Sequence, residues 1–226
     1  EKIHAVLNKY DVLMMADEVI TGFGRTGNMF GSDTYNIKPD IMTLAKALSG
    51  AYLPISAVMV TEDIYRVLRD ESNKIGFFGH AFTTTGHPVA VAVANRAQQL
   101  MQERDIVGHV RRVSPALQDG LRAFYDHPLV GNVRGVGLMA ALELVADKES
   151  KRSFDPSFKV KDYLRARAQE HGLIVRAVLS GDTIAFAPPL IITQEEIGEM
   201  MTRLSRALND TTKWIEENGL RDKKPA

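Results

Sequence analysis

The 226-residue chain contains no cysteine. Disulfides, thiolate nucleophiles and Cys-ligated metal sites are therefore excluded. Nor is there an excess of charge of either sign: 28 Lys and Arg balance 28 Asp and Glu, for a formal net charge of zero. Nucleic-acid and anionic-membrane surfaces rest on a basic excess that this balance does not supply. Long hydrophobic runs are also missing. Charge, Gly or Pro breaks the longest apolar stretches, so nothing reads as a signal peptide or a transmembrane span. The expectation is a soluble cytoplasmic protein with no nucleic-acid or membrane partner. An initiator Met is absent too. The opening EKIHAVLNKYDVLMMADEV carries a helical pattern already under way, as in a protein entered midway, and a longer parent chain is expected.

What is present is ordinary for a globular protein: 45% hydrophobic and 25% charged residues, in a chain long enough to bury a sizeable core. Residues 2 to 10 suit the end of a helix. Val12 to Ala16 is a short continuous apolar run that stops at Asp17-Glu18, as in a parallel strand buried on both faces. TGFGRTGNMFGSDTYNIKPD reads as a loop. Ile41 to Leu44 is a second short strand and Ser56 to Val60 a third. Thr61 caps a helix to about Arg69. Residues 70 to 87 form a Gly- and Thr-rich loop, and Pro88 opens a helix to about Glu103. A further helix spans about 105 to 126. Val133 to Leu144 reads as one strand entered through glycines, and 158 to 171 as a helix. Leu173 to Arg176 and Thr183 to Ala187 are strands around the Ser180-Gly181-Asp182 turn. Thr193-Gln194-Glu195-Glu196 is a capping box before the last long helix. The expected organisation is an α/β sheet domain over 1–104 and a smaller α+β domain over 105–226.

Lys46 lies within DIMTLAKALSGAYLPISAVMV, one of the most apolar stretches of the chain, where an ammonium needs a reason to be. Asp17 and Lys46 each follow a short strand. Ligands of open α/β sheets bind just beyond the carboxyl ends of strands. Position alone leaves two readings open. One is a buried Asp–Lys ion pair that only holds loops. The other is chemical: a desolvated lysine can attack a carbonyl to form a Schiff base. Pyridoxal phosphate needs such a lysine, together with a carboxylate that keeps its pyridine nitrogen protonated.

ADEVITGFGRTGNMFGSDTYNIKPDIMTLAKALSGAYLPISAVMV resembles the class III, or omega-amino-acid, aminotransferases, which are pyridoxal-phosphate enzymes of fold type I. FGHAFTTTGHPVAVAVA and VRAVLSGDTIAFAPPLIIT continue the resemblance in the same order. It covers essentially the whole chain, as the carboxyl-terminal half of such an enzyme. The resemblance implies part of the large mixed or parallel sheet domain followed by the small domain. It implies that Lys46 carries the cofactor as a Schiff base and shuttles a proton, and that Asp17 bonds the pyridinium nitrogen. Val19 would pack on one face of the ring, and Thr83 would reach the cofactor phosphate of the neighbouring subunit. Arg176 would pair with a substrate carboxylate, a role that suits its planar fork. A homodimer or higher homo-oligomer follows from the role of Thr83. The implied reaction moves an amino group from an omega-amino acid or primary amine to pyruvate or a similar keto acid by a ping-pong mechanism.

Each residue has a plainer reading beside it. Val19 would be core, the threonines would shape a loop, and Arg176 would be a solvated surface group. His80 and His87 read as structural, since their spacing does not fit a metal-binding helix, and no metal is expected. GFGRTG is neither a P-loop nor a dinucleotide fingerprint. Glu18 should point to the face of the strand opposite Asp17. Ala81 and Ser56 stand where the family often has Gly, and Thr84-Thr85 where it often has Tyr-Ser. Rival readings are a diamine or diaminopelargonate transaminase, an aminomutase, a non-catalytic subunit of the same fold, and a nucleotide-binding α/β module. The last of these lacks a phosphate motif.

Overall fold

Two separate sheets organise the chain, one of three strands and one of four. The computed structural model describes residues 2–179 and 181–221, in two compact units, Glu1–Gly108 and His109–Ala226. Ser180 of the expected turn, and the charged tail after Arg221, lie outside the described residues.

The first unit runs α1 (Lys2–Lys9), β1 (Met15–Asp17), α2 (Gly31–Thr34), β2 (Ile41–Leu44), β3 (Ala57–Val60), α3 (Glu62–Ile75) and α4 (Pro88–Glu103). β1 pairs parallel with β2, placing Asp17 opposite Thr43, and β2 pairs antiparallel with β3, placing Leu44 opposite Ala57. The sheet is therefore mixed. The Asp40 carboxylate accepts a hydrogen bond from the Met14 N–H at 2.7 Å, which pins the start of the parallel register.

Several expectations need correction. The strand expected over Val12 to Ala16 is only Met15–Asp17, and it is not buried on both faces, since Met15 is 61% exposed. The expected loop between the first two strands contains the short helix α2. α3 continues six residues past Arg69 and stops where Gly76 takes the left-handed conformation that ends helices cheaply, at φ 81°. Exposed ion pairs such as Arg66–Glu62 and Lys74–Glu71 line the solvent side of α3. Its polar sequence reads as loop only if these i,i+3 and i,i+4 spacings are overlooked.

In the second unit α5 (Ile106–Arg122) buries Val110, Val113, Leu117 and Leu121, a stripe at helical spacing. A 3-10 turn over Ala123–Asp126 then ends the segment. The single strand expected over Val133 to Leu144 is a hairpin of β4 (Val130–Val136) and β5 (Met139–Leu144). Its turn is Gly137-Leu138, with Gly137 at φ 58° supplying the positive dihedral that a two-residue turn requires. α6 (Val160–Glu170), β6 (Arg176–Ala177), β7 (Thr183–Phe186) and α7 (Gln194–Glu217) complete the unit. The antiparallel order is β4-β5-β7-β6. β6 starts at Arg176, where the expected strand ended, because Leu173 to Val175 carry no ladder pairing.

The capping box at α7 forms as expected. The Thr193 hydroxyl accepts from the Glu196 N–H at 3.2 Å, and the Glu196 carboxylate accepts from the Thr193 N–H at 2.7 Å. Leu204, Leu208 and Ile215 of α7 are fully buried. Each such side chain contributes about 1.5–3 kcal/mol to burying the core. Tyr163 stacks on Trp214 at 4.0 Å between ring centroids, joining α6 to α7.

Candidate active site

Because β1 and β2 are parallel, their carboxyl ends open on one edge of the sheet. Asp17 is the last residue of β1, and Lys46 lies two residues beyond the end of β2. Asp17 Oδ1 accepts hydrogen bonds from the Val19 N–H at 3.0 Å and from the Thr43 hydroxyl at 3.2 Å. These two bonds orient the carboxylate, and its second oxygen has no partner among the described residues. Thr43 thus supports Asp17 from the neighbouring strand, a role that its sequence context does not reveal.

Lys46 opens a 3-10 turn, Lys46–Leu48. Its φ is +46°, a left-handed conformation that a non-glycine residue adopts at a cost, and Ala51 in the same segment stands at φ +63°. The Ser49 hydroxyl donates to the Leu53 carbonyl at 2.8 Å and closes the loop. A depression of about 230 Å³ is lined by Lys46, Ser49, Ala51, Leu53, Pro54 and Ile55.

Two expectations about this pair do not hold. Asp17 and Lys46 are both exposed rather than buried, and no ion pair joins them among the described residues. The bland reading of Lys46 as half of an internal ion pair therefore has no structural support.

Glu18 behaves as the alternation of a strand predicts: it is 2% exposed while Asp17 faces out. Its Oε1 accepts from the Ser32 N–H at 2.6 Å and the Ser32 hydroxyl at 2.5 Å. Its Oε2 accepts from the Gly31 N–H at 2.8 Å and the Thr21 hydroxyl at 2.5 Å. Burial pushes this carboxyl up. The Ser32 and Thr21 hydroxyls and the Ser32 and Gly31 N–H groups outweigh that and hold it below the usual glutamate range. The Gly-rich segment 19–30 is consequently drawn in around Glu18. Phe23, Gly24, Thr26 and Gly27 are buried, and Phe23 meets Phe30 edge to face at 5.6 Å. Val19, half-buried, is the first residue of this segment.

The structure brings Asp17, Val19 and Lys46 to one edge of the first unit. Thr83 lies in the same unit, exposed, within a turn where Thr85 N–H donates to the Phe82 carbonyl at 2.9 Å. The Thr85 hydroxyl accepts from the Phe82 N–H at 2.9 Å and is occupied within its own turn, whereas the Thr83 hydroxyl has no partner among the described residues. His80 sits between the rings of Phe78 and Phe82, with centroid separations of 6.1 and 5.5 Å. Among the described residues no cluster of His, Asp and Glu could hold a metal ion.

Arg176 belongs to the second unit, on the edge strand β6, exposed and with no partner for its guanidinium among the described residues. The following loop is held by Lys161, whose ammonium donates to the carbonyls of Val178 at 2.7 Å, Leu179 at 3.2 Å and Gly181 at 2.9 Å. Asp182 also accepts from the Lys161 N–H at 3.3 Å, and burial pushes its carboxyl up. Nothing in the sequence around Lys161 signals this clamp, because its partners are backbone carbonyls 17 to 20 residues away.

The parallel pair β1–β2 thus carries a carboxylate at one carboxyl end and a lysine beyond the other, on the edge where open α/β sheets bind ligands. Residues 1–208 match the family model described as Aminotransferase class-III, and the chain belongs to that family. Over 217 residues it is 49% identical to gamma aminobutyrate transaminase 1, mitochondrial, of Solanum lycopersicum, covering 96% of this chain and 42% of that protein. A probable gamma-aminobutyrate transaminase 2, mitochondrial, of Oryza sativa subsp. japonica is 49% identical over 224 residues, covering 99% of this chain and 44% of that protein. Two solved structures superpose closely. One, described as a transaminase with L-ala, has TM-score 0.91 and 48% identity over 95% of this chain and 50% of that one. The other is the omega transaminase from Pseudomonas jessenii in complex with PMP, with TM-score 0.91 and 48% identity over 95% of this chain and 47% of that one. The chain thus spans about half the length of the relatives it matches. The architecture is α/β with a mixed sheet, part of fold type I.

Proposed function

We propose that the complete protein is a pyridoxal-phosphate-dependent transaminase. It would move an amino group from an omega-amino acid or primary amine to pyruvate or a similar keto acid. The observation that carries this reading is the shared edge of β1 and β2, where one Asp17 oxygen and the Lys46 ammonium have no partner among the described residues. That donor set fits the cofactor: a carboxylate for a protonated ring nitrogen, and a primary amine for an aldehyde. When bound, pyridoxal phosphate supplies an electron sink for charge developing on the substrate carbon. Asp17, fixed by Val19 and Thr43, would accept the ring N–H. Lys46 would tether the cofactor and then hold and return the migrating proton at its Nζ. Val19 would pack on a ring face, Thr83 would reach the phosphate of a second subunit, and Arg176 would pair with a substrate carboxylate.

The relatives named for gamma-aminobutyrate support an omega-amino acid as donor, and the structure described with L-ala supports pyruvate as acceptor. Two half-reactions on one cofactor give ping-pong kinetics. We assign the first unit to the cofactor-binding domain and the second to the small carboxyl-terminal domain. A homodimer or larger homo-oligomer is the proposed working unit. The proposed compartment is the cytoplasm. No helix among the described residues is long and apolar enough to cross a membrane, and several relatives are named as mitochondrial or chloroplastic. Cell fractionation decides the compartment.

Borohydride reduction of the cofactor-loaded protein tests the core of the proposal. Reduction should fix the cofactor to the peptide carrying Lys46, as read by mass spectrometry, and Lys46→Ala should lose both label and turnover. Full turnover in Lys46→Ala would end the proposal. A panel of amine donors with pyruvate separates this reading from a diamine or diaminopelargonate transaminase and from an aminomutase.

A further inference from the structure

We propose that Gln98, on α4, is a positioning residue for Lys46, resting on the reading above that Lys46 carries the cofactor. Short helices leave their last carbonyls without intrahelical partners. After the Lys46–Leu48 turn, the Leu48 carbonyl is met by one side chain from 50 residues away: Gln98 Nε2 donates to Leu48 O at 2.8 Å, and also to Ala47 O at 3.1 Å, which the Gly50 N–H reaches at 3.3 Å. Both partners are carbonyl oxygens, which only accept, so the amide nitrogen must face them and a flipped amide would lose both bonds.

Gln98 Oε1 is meanwhile buried with no partner among the described residues. A side chain serving only to fill that space would do better as Leu or Met, because a buried unpaired oxygen is unfavourable. What the amide gains in return is its hold on the turn. The backbone of that turn sets the direction of the Lys46 side chain, and Lys46 sits at φ +46°, away from its preferred basins. The turn is also held by the Leu48 N–H to Ala45 O bond at 3.0 Å, by the Ser49 hydroxyl on Leu53 O at 2.8 Å, and by three longer backbone bonds, Ser49 N–H to Lys46 O at 3.3 Å, Gly50 N–H to Ala47 O at 3.3 Å and Ala51 N–H to Lys46 O at 3.2 Å. Gln98 adds a side-chain contribution anchored on a regular helix. It locks the dihedrals that aim the amine.

The test uses the complete protein and the variants Gln98→Leu and Gln98→Glu, with Gln102→Leu, exposed on the same helix, as control. Gln98→Leu keeps the volume and removes both donors. Gln98→Glu keeps the shape and faces two carbonyls with a carboxylate that donates only when protonated. In the cofactor-free protein, exchange at the amides of Ser49, Gly50 and Ala51 should quicken by about tenfold in both variants, as local opening becomes easier. In the loaded enzyme, kcat should fall by about tenfold to a hundredfold with the KM for the amine unchanged, because the misplaced group is not part of substrate binding. The pH midpoint of the cofactor absorption should move in Gln98→Leu and stay in Gln102→Leu, and Gln98→Glu should regain rate toward acid pH. Borohydride should still label Lys46 in every variant. Wild-type exchange, kcat and pH midpoint in both Gln98 variants would overturn the assignment while leaving the cofactor reading intact. No label on Lys46 in the wild-type protein would overturn the cofactor reading and this assignment with it.

Discussion

Glu18→Gln is the sharpest perturbation this structure offers. Each oxygen of Glu18 accepts one backbone N–H and one hydroxyl. A neutral amide replaces one oxygen with a donor. A hydroxyl facing that donor can turn round and accept, but the Gly31 or Ser32 N–H cannot. One backbone donor is left unpaired, and the remaining bonds fall from charge-assisted to neutral strength. Hydrogen bonds to a charged group are worth about 1.5–3 kcal/mol against about 0.5–1.5 for neutral ones, and an unpaired buried donor costs about 1–3. Against this, burying an amide is easier than burying a carboxylate. The net expectation is a loss of about 3 kcal/mol, a large share of the roughly 5–15 kcal/mol that separates a typical domain from its unfolded state.

The assay is urea unfolding of the complete protein, with hydrogen exchange across residues 19–36 to locate the loss. Protection should fall in that segment first, and cofactor retention should fall with it, because Val19 supports Asp17 from the same segment. The pH dependence carries the same sign. The Glu18 carboxyl is held below its ordinary value of 4.5, so its stabilisation is present above that value and is lost as pH falls through the folded one. Glu18→Gln should lack this acid step. An unchanged urea midpoint and unchanged protection across 19–36 would refute the reasoning.

The remaining predictions concern the second unit. Arg176→Ala should raise KM for substrates that carry a carboxylate and leave apolar amines nearly unaffected; equal losses in steady-state kinetics with both would make Arg176 structural. Lys161→Met removes three donors from the carbonyls of Val178, Leu179 and Gly181 and loosens the loop after Arg176. It should cost about 1–2 kcal/mol locally, seen as faster exchange over residues 176–183, and wild-type exchange there would sink the clamp. Gly135→Ala would place a Cβ 2.5 Å from the Met139 carbonyl and 2.7 Å from Gln118 Oε1. The hairpin must shift to admit it, so thermal or urea unfolding should show a loss of about 2–3 kcal/mol, and wild-type stability would contradict the tight approach.

How much was legible in the sequence differs by distance along the chain. The placement of Asp17 and Lys46 at the ends of neighbouring strands was readable because each follows a short apolar run. The inward turn of Glu18 followed from the two-residue period of β1, and the Thr193 capping box from its spacing. Pro88 opened α4 as expected. The β4–β5 hairpin was missed because Gly137-Leu138 sits inside an unbroken apolar stretch, with no polar residues to mark the turn. The extent of α3 was missed because Asp70 to Lys74 look like loop residues until the i,i+3 pair of Glu71 and Lys74 is counted. Gln98 and Lys161 could not be read at all. Each acts on backbone carbonyls, and a carbonyl carries no signature in an amino-acid sequence.

Burial is the instructive failure, because it failed in one unit and not in the other. In the second unit apolar pattern and burial agree: Leu117, Leu142, Leu164, Ile184 and Leu204 are fully buried. Among the described residues the exposed large hydrophobics, apart from Tyr125, Ile174, Leu179 and Ile191, all lie in the first unit. Exposed apolar side chains in that number are what a surface built to be covered presents. Val12, Leu13, Met15, Val58 and Met59 are among them, on or next to β1 and β3, the two strands that pair with β2. Apolar composition reports what a strand is built to have covered, whereas exposure reports what this stretch of chain covers by itself. The Lys46 amine is therefore aimed by local means that this unit does contain, the 3-10 turn and Gln98. Its desolvation would have to come from whatever covers the apolar strands beside it. Aim and desolvation are separable, and variants at Gln98 should change the first without touching the second.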